Sequence, residues 1–191
     1  MPQARSSSSR GFSLTEVIIA MGLLTTVSLG VAQVFALTAR ANYVARGQTS
    51  TTAMAEMKME QLRSLTWGFD TEGQGLPVSD TTTNLTTDPP STGGAGLNPS
   101  PTTSLTQNTA GYVDFLNANG AYVGTGTTAP DGAAFVRRWS IHPLPTNPNN
   151  TLILQVFVTP IANEVLRDPN AAFQRMNGDA LLVSVKTRKA Q

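Results

Sequence analysis

Four places in this chain hold residues that could do chemistry. The only histidine, His142, stands directly before Pro143, a position that suits a strand end better than a general base. There is no cysteine, which excludes thiolate nucleophiles, thiolate metal sites and disulfides. A single histidine also rules out the usual multi-histidine metal centres. Asp168, Asn170, Asn177 and Asp179 could offer oxygen ligands to calcium, but they lack EF-hand spacing and are expected to form turns. In Arg137-Arg138-Trp139, strand alternation puts only Arg137 on the face of Trp139, where a guanidinium–indole stack is feasible. The plainer expectation there is an arginine snorkelling from a half-buried strand. No G-x-S-x-G, H-E-x-x-H or Walker-type glycine loop is present, so no enzymatic activity, metal or other cofactor is expected. The fourth place is Glu16, a carboxylate at the lip of a long uncharged stretch. On insertion scales such an acid costs up to about 2.5–3.5 kcal/mol at a helix centre and less near an end. An ionisable residue in that setting is by default a functional one.

The elements around these residues follow from composition. Across 191 residues, 13 Lys+Arg stand against 12 Asp+Glu, so the clustered basic excess that nucleic-acid binding requires is missing. Only 13% of residues are charged, about half the globular average of roughly 25%, and the deficit is concentrated near the N-terminus. Residues 1–11 are short, polar and basic, with Arg5 and Arg10 and no acid. Residues 12–39 carry one charge, Glu16, and none follows from Val17 to Ala39. At about 1.5 Å per residue this helix is long enough to cross a hydrocarbon core near 30 Å thick.

Beyond Arg40 the chain turns amphipathic without a break, because no proline lies between Pro2 and Pro77. One helix is predicted from residue 12 to about 66, apolar all round over 12–39 and two-faced over 40–67. Met54, Met57, Leu62 and Leu65 approximate its apolar stripe, with the charges largely opposite. Glu56 and Glu60 repel at i,i+4, and Lys58 is placed to relieve them. Trp67-Gly68 is the expected stop, with the glycine as cap.

Residues 68–110 are Thr, Ser, Gly, Pro, Asn and Asp with few apolar groups. They are expected to form a mobile excursion, since such a run buries too little to offset ordering. Trimming 80–108 should then cost little stability. From Gly111 the pattern is β. Tyr112–Leu116 and Ala121–Gly124 flank an Asn-Gly turn, followed by strands over 134–142, 151–159 and 180–187. Leu152, Leu154, Val156 and Val158 share one face, with Ile153 and Phe157 on the other. Residues 111–191 therefore form an antiparallel sheet whose apolar face needs a cover, and the amphipathic half of the helix is the sizeable candidate. The fold class is α+β, a long N-terminal helix packed on an antiparallel sheet.

The junction Arg10-Gly11-Phe12-Ser13-Leu14-Thr15-Glu16-Val17 resembles the leader junction of type IV pilins and type II secretion pseudopilins. The resemblance covers residues 1 to about 66. It implies that prepilin peptidase cuts after Gly11, that Phe12 becomes the N-methylated first residue, and that Glu16 is the fifth-residue glutamate governing filament assembly and register. One helical turn separates the new amine of Phe12 from Glu16. In a filament core the carboxylate could meet a neighbouring subunit's amine, where low dielectric strengthens the pair and penalises an unpaired charge. Alternatively Glu16 only snorkels to the headgroups.

Finer features are similar to minor pilins of the PilV-like group: Tyr112–Gly120, Ala134–Ile141 with its R-R-W, and Met54–Arg63. A major pilin is disfavoured, since many carry a helix proline and a C-terminal disulfide loop. The resemblance implies a minor pilin of a type IV pilus, or alternatively a minor pseudopilin of type II secretion. Implied partners are other pilins or pseudopilins, the prepilin peptidase/methyltransferase and inner-membrane lipid, with no nucleic acid. The implied location is the inner membrane, single-pass with a periplasmic C-terminal domain, and then the pilus or pseudopilus. A reading from another class remains. Ala39-Arg-Ala41 fits a signal peptidase I site, which would release a soluble domain starting near Asn42. Against it stand the length of the apolar stretch and the acid near its start.

Overall fold

The protein is described from a computed structural model over residues 11–70, 72–168 and 173–188. It divides into two compact units, Met1–Tyr43 and Val44–Gln191. Among the described residues, helix α1, Leu14–Ser64, is the regular structure of the first unit and supplies the opening element of the second.

Within the first unit the large apolar side chains from Leu14 to Leu37 are exposed along every side of α1. A helix apolar all round needs lipid or other protein about it, and α1 is the one helix among the described residues long and apolar enough to cross a membrane. Its threonines suit that setting. Thr25 Oγ1 donates to Met21 O at 2.7 Å, Thr26 to Gly22 O at 2.9 Å and Thr38 to Val34 O at 2.9 Å. Each hydroxyl is thus satisfied inside the helix and presents no orphan donor to hydrocarbon.

The second unit is the predicted α+β arrangement. Strands β5 (Val113–Leu116), β6 (Tyr122–Gly124), β7 (Phe135–Pro143), β8 (Thr151–Pro160) and β9 (Ala180–Thr187) form an antiparallel sheet in the order β6-β5-β7-β8-β9. The hairpin joining β5 and β6 closes through Gly120 at φ 80°. Asn117 Oδ1 accepts from the backbone N–H groups of Asn119 and Ala121. One face of the sheet (Leu116, Trp139, Ile141, Leu152, Leu154, Val156, Val158) packs on Met54, Ala55, Met59 and Leu62 of α1. The other face carries Val113, Phe115 and Val136, closed by Ala133 of the turn before β7 and by Ile161 of the short helix α2, Ile161–Leu166.

Several sequence expectations need correction. The buried stripe of α1 is Thr51, Met54, Ala55, Lys58, Met59 and Leu62, a spacing of three and four that includes a lysine. Met57 is exposed and Leu65 only partly buried. With Lys58 facing inward, Glu60 is relieved instead by Arg63 at 3.1 Å. The helix stops at Ser64, and Gly68 lies in strand β1 (Trp67–Phe69) rather than in a left-handed cap.

The largest departure is residues 68–110. They hold β1 paired with β2 (Pro77–Ser79), and β3 (Thr83–Asn84) paired with β4 (Ser91–Thr92). Leu85 and Leu97 are buried in the main core. Two physical features order a segment so poor in apolar residues. Its polar side chains serve its own backbone: Asp80 Oδ1 accepts from the N–H groups of Thr82 and Thr83, and Asn84 Oδ1 from the N–H and hydroxyl of Thr86. The segment also completes the sheet. Strand β5 pairs with β7 only as far as Arg138, and beyond it Ser100 N–H donates to Ile141 O at 2.9 Å while Ile141 N–H donates to Ser100 Oγ at 3.1 Å. Within the segment Gly94 packs directly on β3, since a Cβ there would meet Asn84 Cα at 2.1 Å.

Candidate functional site

The N-terminal candidates lie together at the start of α1. Gly11, Phe12 and Ser13 are irregular, and the helix opens at Leu14 with Ser13 O accepting the Val17 N–H at 3.2 Å. Ser13 Oγ and Thr15 Oγ1 lie 2.7 Å apart. Gly11 and Phe12, just ahead of the helix, are both exposed, Phe12 to 84%. Glu16 falls in the first turn, where the unpaired N–H groups favour an anion. It makes no ion pair among the described residues. Phe12, Glu16, Val17, Ala20, Met21 and Leu24 line a shallow hollow of about 330 Å³, almost wholly apolar with one carboxylate at its rim. That surface can accept an apolar helix bearing a cation.

The second unit holds two buried polar clusters that sequence reading missed. On the helix side, Lys58 Nζ lies 2.9 Å from Asp114 Oδ2 and donates to Leu85 O at 2.6 Å. Arg137 grips the same carboxylate through two bonds, Nε to Oδ1 at 2.9 Å and Nη2 to Oδ2 at 2.8 Å, and gives a third to Met54 O at 3.1 Å. Two cations share one carboxylate, and the indole face of Trp139, 4.6 Å from Lys58 Nζ, takes part of the surplus charge. Arg137 does share Trp139's side of the sheet, but the cation over the indole is Lys58, and Arg137 is buried rather than snorkelling. Burial lowers the Lys58 pKa to about 8, with Arg137 acting in the same direction and Asp114 opposing.

On the opposite face buried Arg138 donates to Glu164 at 2.7 and 3.2 Å and to Asn108 Oδ1 at 2.9 Å. Asp179 collects Thr159 Oγ1 (2.6 Å), Asn163 Nδ2 (3.0 Å), Arg167 Nη2 (2.8 Å) and the Met176 N–H (2.8 Å). Burial would raise its pKa, yet these donors together hold it below the ordinary carboxylate value. Its oxygens thus tie α2 and β8 to the turn before β9. No group of three or more metal-ligating side chains occurs among the described residues, and Asn170 lies outside them. His142 sits at the end of β7 beside Pro143. One signal could have exposed the first cluster: Lys58 falls on the 3.6-residue stripe and Asp114 interrupts an apolar strand, so each needed a partner.

Comparison with known proteins bears on the first site. Residues 6–32 match the family model of the prokaryotic N-terminal methylation motif. The matched span includes Gly11, Phe12 and Glu16 and much of the apolar helix, and it supports a prepilin-type protein of the type IV pilin and pseudopilin family. Such a motif implies processing by prepilin peptidase, membrane anchoring and assembly with other pilins. No curated protein and no solved structure matches the chain.

Proposed function

We propose that this chain is a minor pilin, a low-copy assembly subunit of a type IV pilus. It is cut after Gly11, N-methylated on Phe12, and held in the inner membrane by α1 with its β domain in the periplasm until it is drawn into the filament. Its work is structural rather than catalytic. The observation that carries this reading is the Gly11-Phe12 junction with Glu16 one turn into an uncharged helix, inside the matched methylation motif. The low-copy role rests on the missing cysteines, which leave no disulfide to hold the C-terminal region under load, and on the R-R-W strand.

Recovery of the chain in sheared filaments at a small fraction of the major subunit is the expected result. Recovery instead as a soluble periplasmic domain beginning near Asn42 would refute it. Genes for a retraction ATPase beside this one favour the pilus, whereas type II secretion components would make it a minor pseudopilin.

A further inference from the structure

The first charge after the apolar run is Arg40, and no acid occurs anywhere between Glu16 and Glu56. Arg40 is exposed and has no ion-pair partner among the described residues. Tyr43, one turn further along α1, is 81% exposed, and the next charge in sequence is again a cation, Arg46. Glu16 and Arg40 are separated by roughly 36 Å at about 1.5 Å per helical residue, a little more than a hydrocarbon core of roughly 30 Å. An acid and a cation thus stand at the two ends of a bilayer-length apolar rod. An uncompensated arginine followed by an exposed tyrosine is the chemistry of a membrane–water boundary. The guanidinium presents a planar donor fork that fits phosphate, and the tyrosine ring sits at headgroup level.

We infer that Arg40 and Tyr43 form an interfacial collar that binds the phosphate groups of anionic lipids where the apolar run of α1 leaves the bilayer. The inference rests on the reading that Val17–Ala39 lies in the membrane before assembly. The collar fixes the depth of the helix and must let go when the subunit is extracted, so anionic lipid content sets how firmly the pool is retained. Local enrichment of anionic over zwitterionic lipid is roughly fivefold for each arginine at such a surface.

The test uses the full chain in vesicles of phosphatidylcholine and phosphatidylglycerol. Tyr43→Trp serves as the reporter, and the signal of Trp67 and Trp139 is subtracted with the unsubstituted protein. Brominated phosphatidylglycerol is expected to quench the reporter more strongly than brominated phosphatidylcholine, and Arg40→Gln to erase the difference. Equal quenching with Arg40 present overturns the collar, as does a preference that survives its removal. Loss of the preference when inorganic phosphate replaces chloride at equal ionic strength assigns the site to a free anion and overturns the lipid. If no preference exists but Arg40→Gln fails to enter filaments, the arginine serves an acid of a neighbouring copy, which also overturns it. Leu29→Trp separates the two readings: a reporter there that neither lipid quenches refutes the membrane placement and the collar together, whereas quenching at Leu29 without preference at Tyr43 refutes the collar alone.

Discussion

Lys58 on α1 and Asp114 on β5 meet at 2.9 Å with 1% of each side chain exposed, and this contact joins the helix to the sheet through charge as well as through apolar packing. Arg137 lies on the same carboxylate, so the three members are not equivalent. Removing Lys58 leaves a neutral, doubly hydrogen-bonded Arg137–Asp114 pair. Removing Asp114 leaves two cations buried together. Asp114→Ala is therefore expected to destabilise the domain by about 3–5 kcal/mol, the range for orphaning a buried charge. Lys58→Met should cost less than about 1.5 kcal/mol, since its shape is kept and one desolvated charge is lost. Urea unfolding of both variants checks the order, and a larger loss for Lys58→Met would contradict it.

The same cluster predicts a pH dependence. With a folded pKa of about 8 against 10.5 for the free side chain, Lys58 releases its proton in the native state while the unfolded chain still holds one. Stability from this group therefore rises with pH between those two values, by at most about 3 kcal/mol. The urea midpoint should increase from about pH 7.5 to about pH 9.5 in the parent protein and stay flat in Lys58→Met. A parallel rise in both would assign the effect elsewhere. Tyr112, whose pKa burial raises, acts in the opposite direction above its ordinary value, so the window closes there.

Leu97 tests the ordered Thr/Ser-rich segment. Its side chain is buried in the main core with Leu85, so Leu97→Ala should cost about 2–5 kcal/mol. Deleting residues 80–108 should unfold the second unit, because it removes both leucines and the Ser100 bonds to β7. Melting temperature reports either change, and an unaltered value for the deletion would show that the segment contributes nothing.

Strands β5 to β9 were legible because alternation and turn residues such as Asn117–Gly120 encode them locally. The register of α1 is only partly legible: Met54 and Leu62 lie on its buried stripe, but a lysine belongs in water by type, and only the carboxylate of Asp114, far along the chain, overrides that preference. The order in residues 68–110 was illegible because it comes from side chains of Asp80 and Asn84 bonding their own backbone and from a vacant stretch of β7, neither of which hydrophobic content records. The junction at Gly11–Glu16 was legible as a motif because it is contiguous.

Glu16→Val should leave processing and membrane insertion intact and abolish incorporation into filaments. The substitution keeps the hollow lined by Phe12, Val17, Ala20, Met21 and Leu24 but removes its carboxylate. An apolar residue inserts at least as well as an acid, so insertion is not the step that fails. Immunodetection in sheared filaments against the membrane fraction decides it. Normal incorporation of the valine variant would end the register argument.

The account rests above all on where the mature chain begins. Intact-mass and N-terminal peptide spectrometry of the protein purified from membranes should give a chain starting at Phe12 and heavier by one methyl group. A chain starting near Asn42, or one that keeps residues 1–11 in cells with active prepilin peptidase, would contradict it.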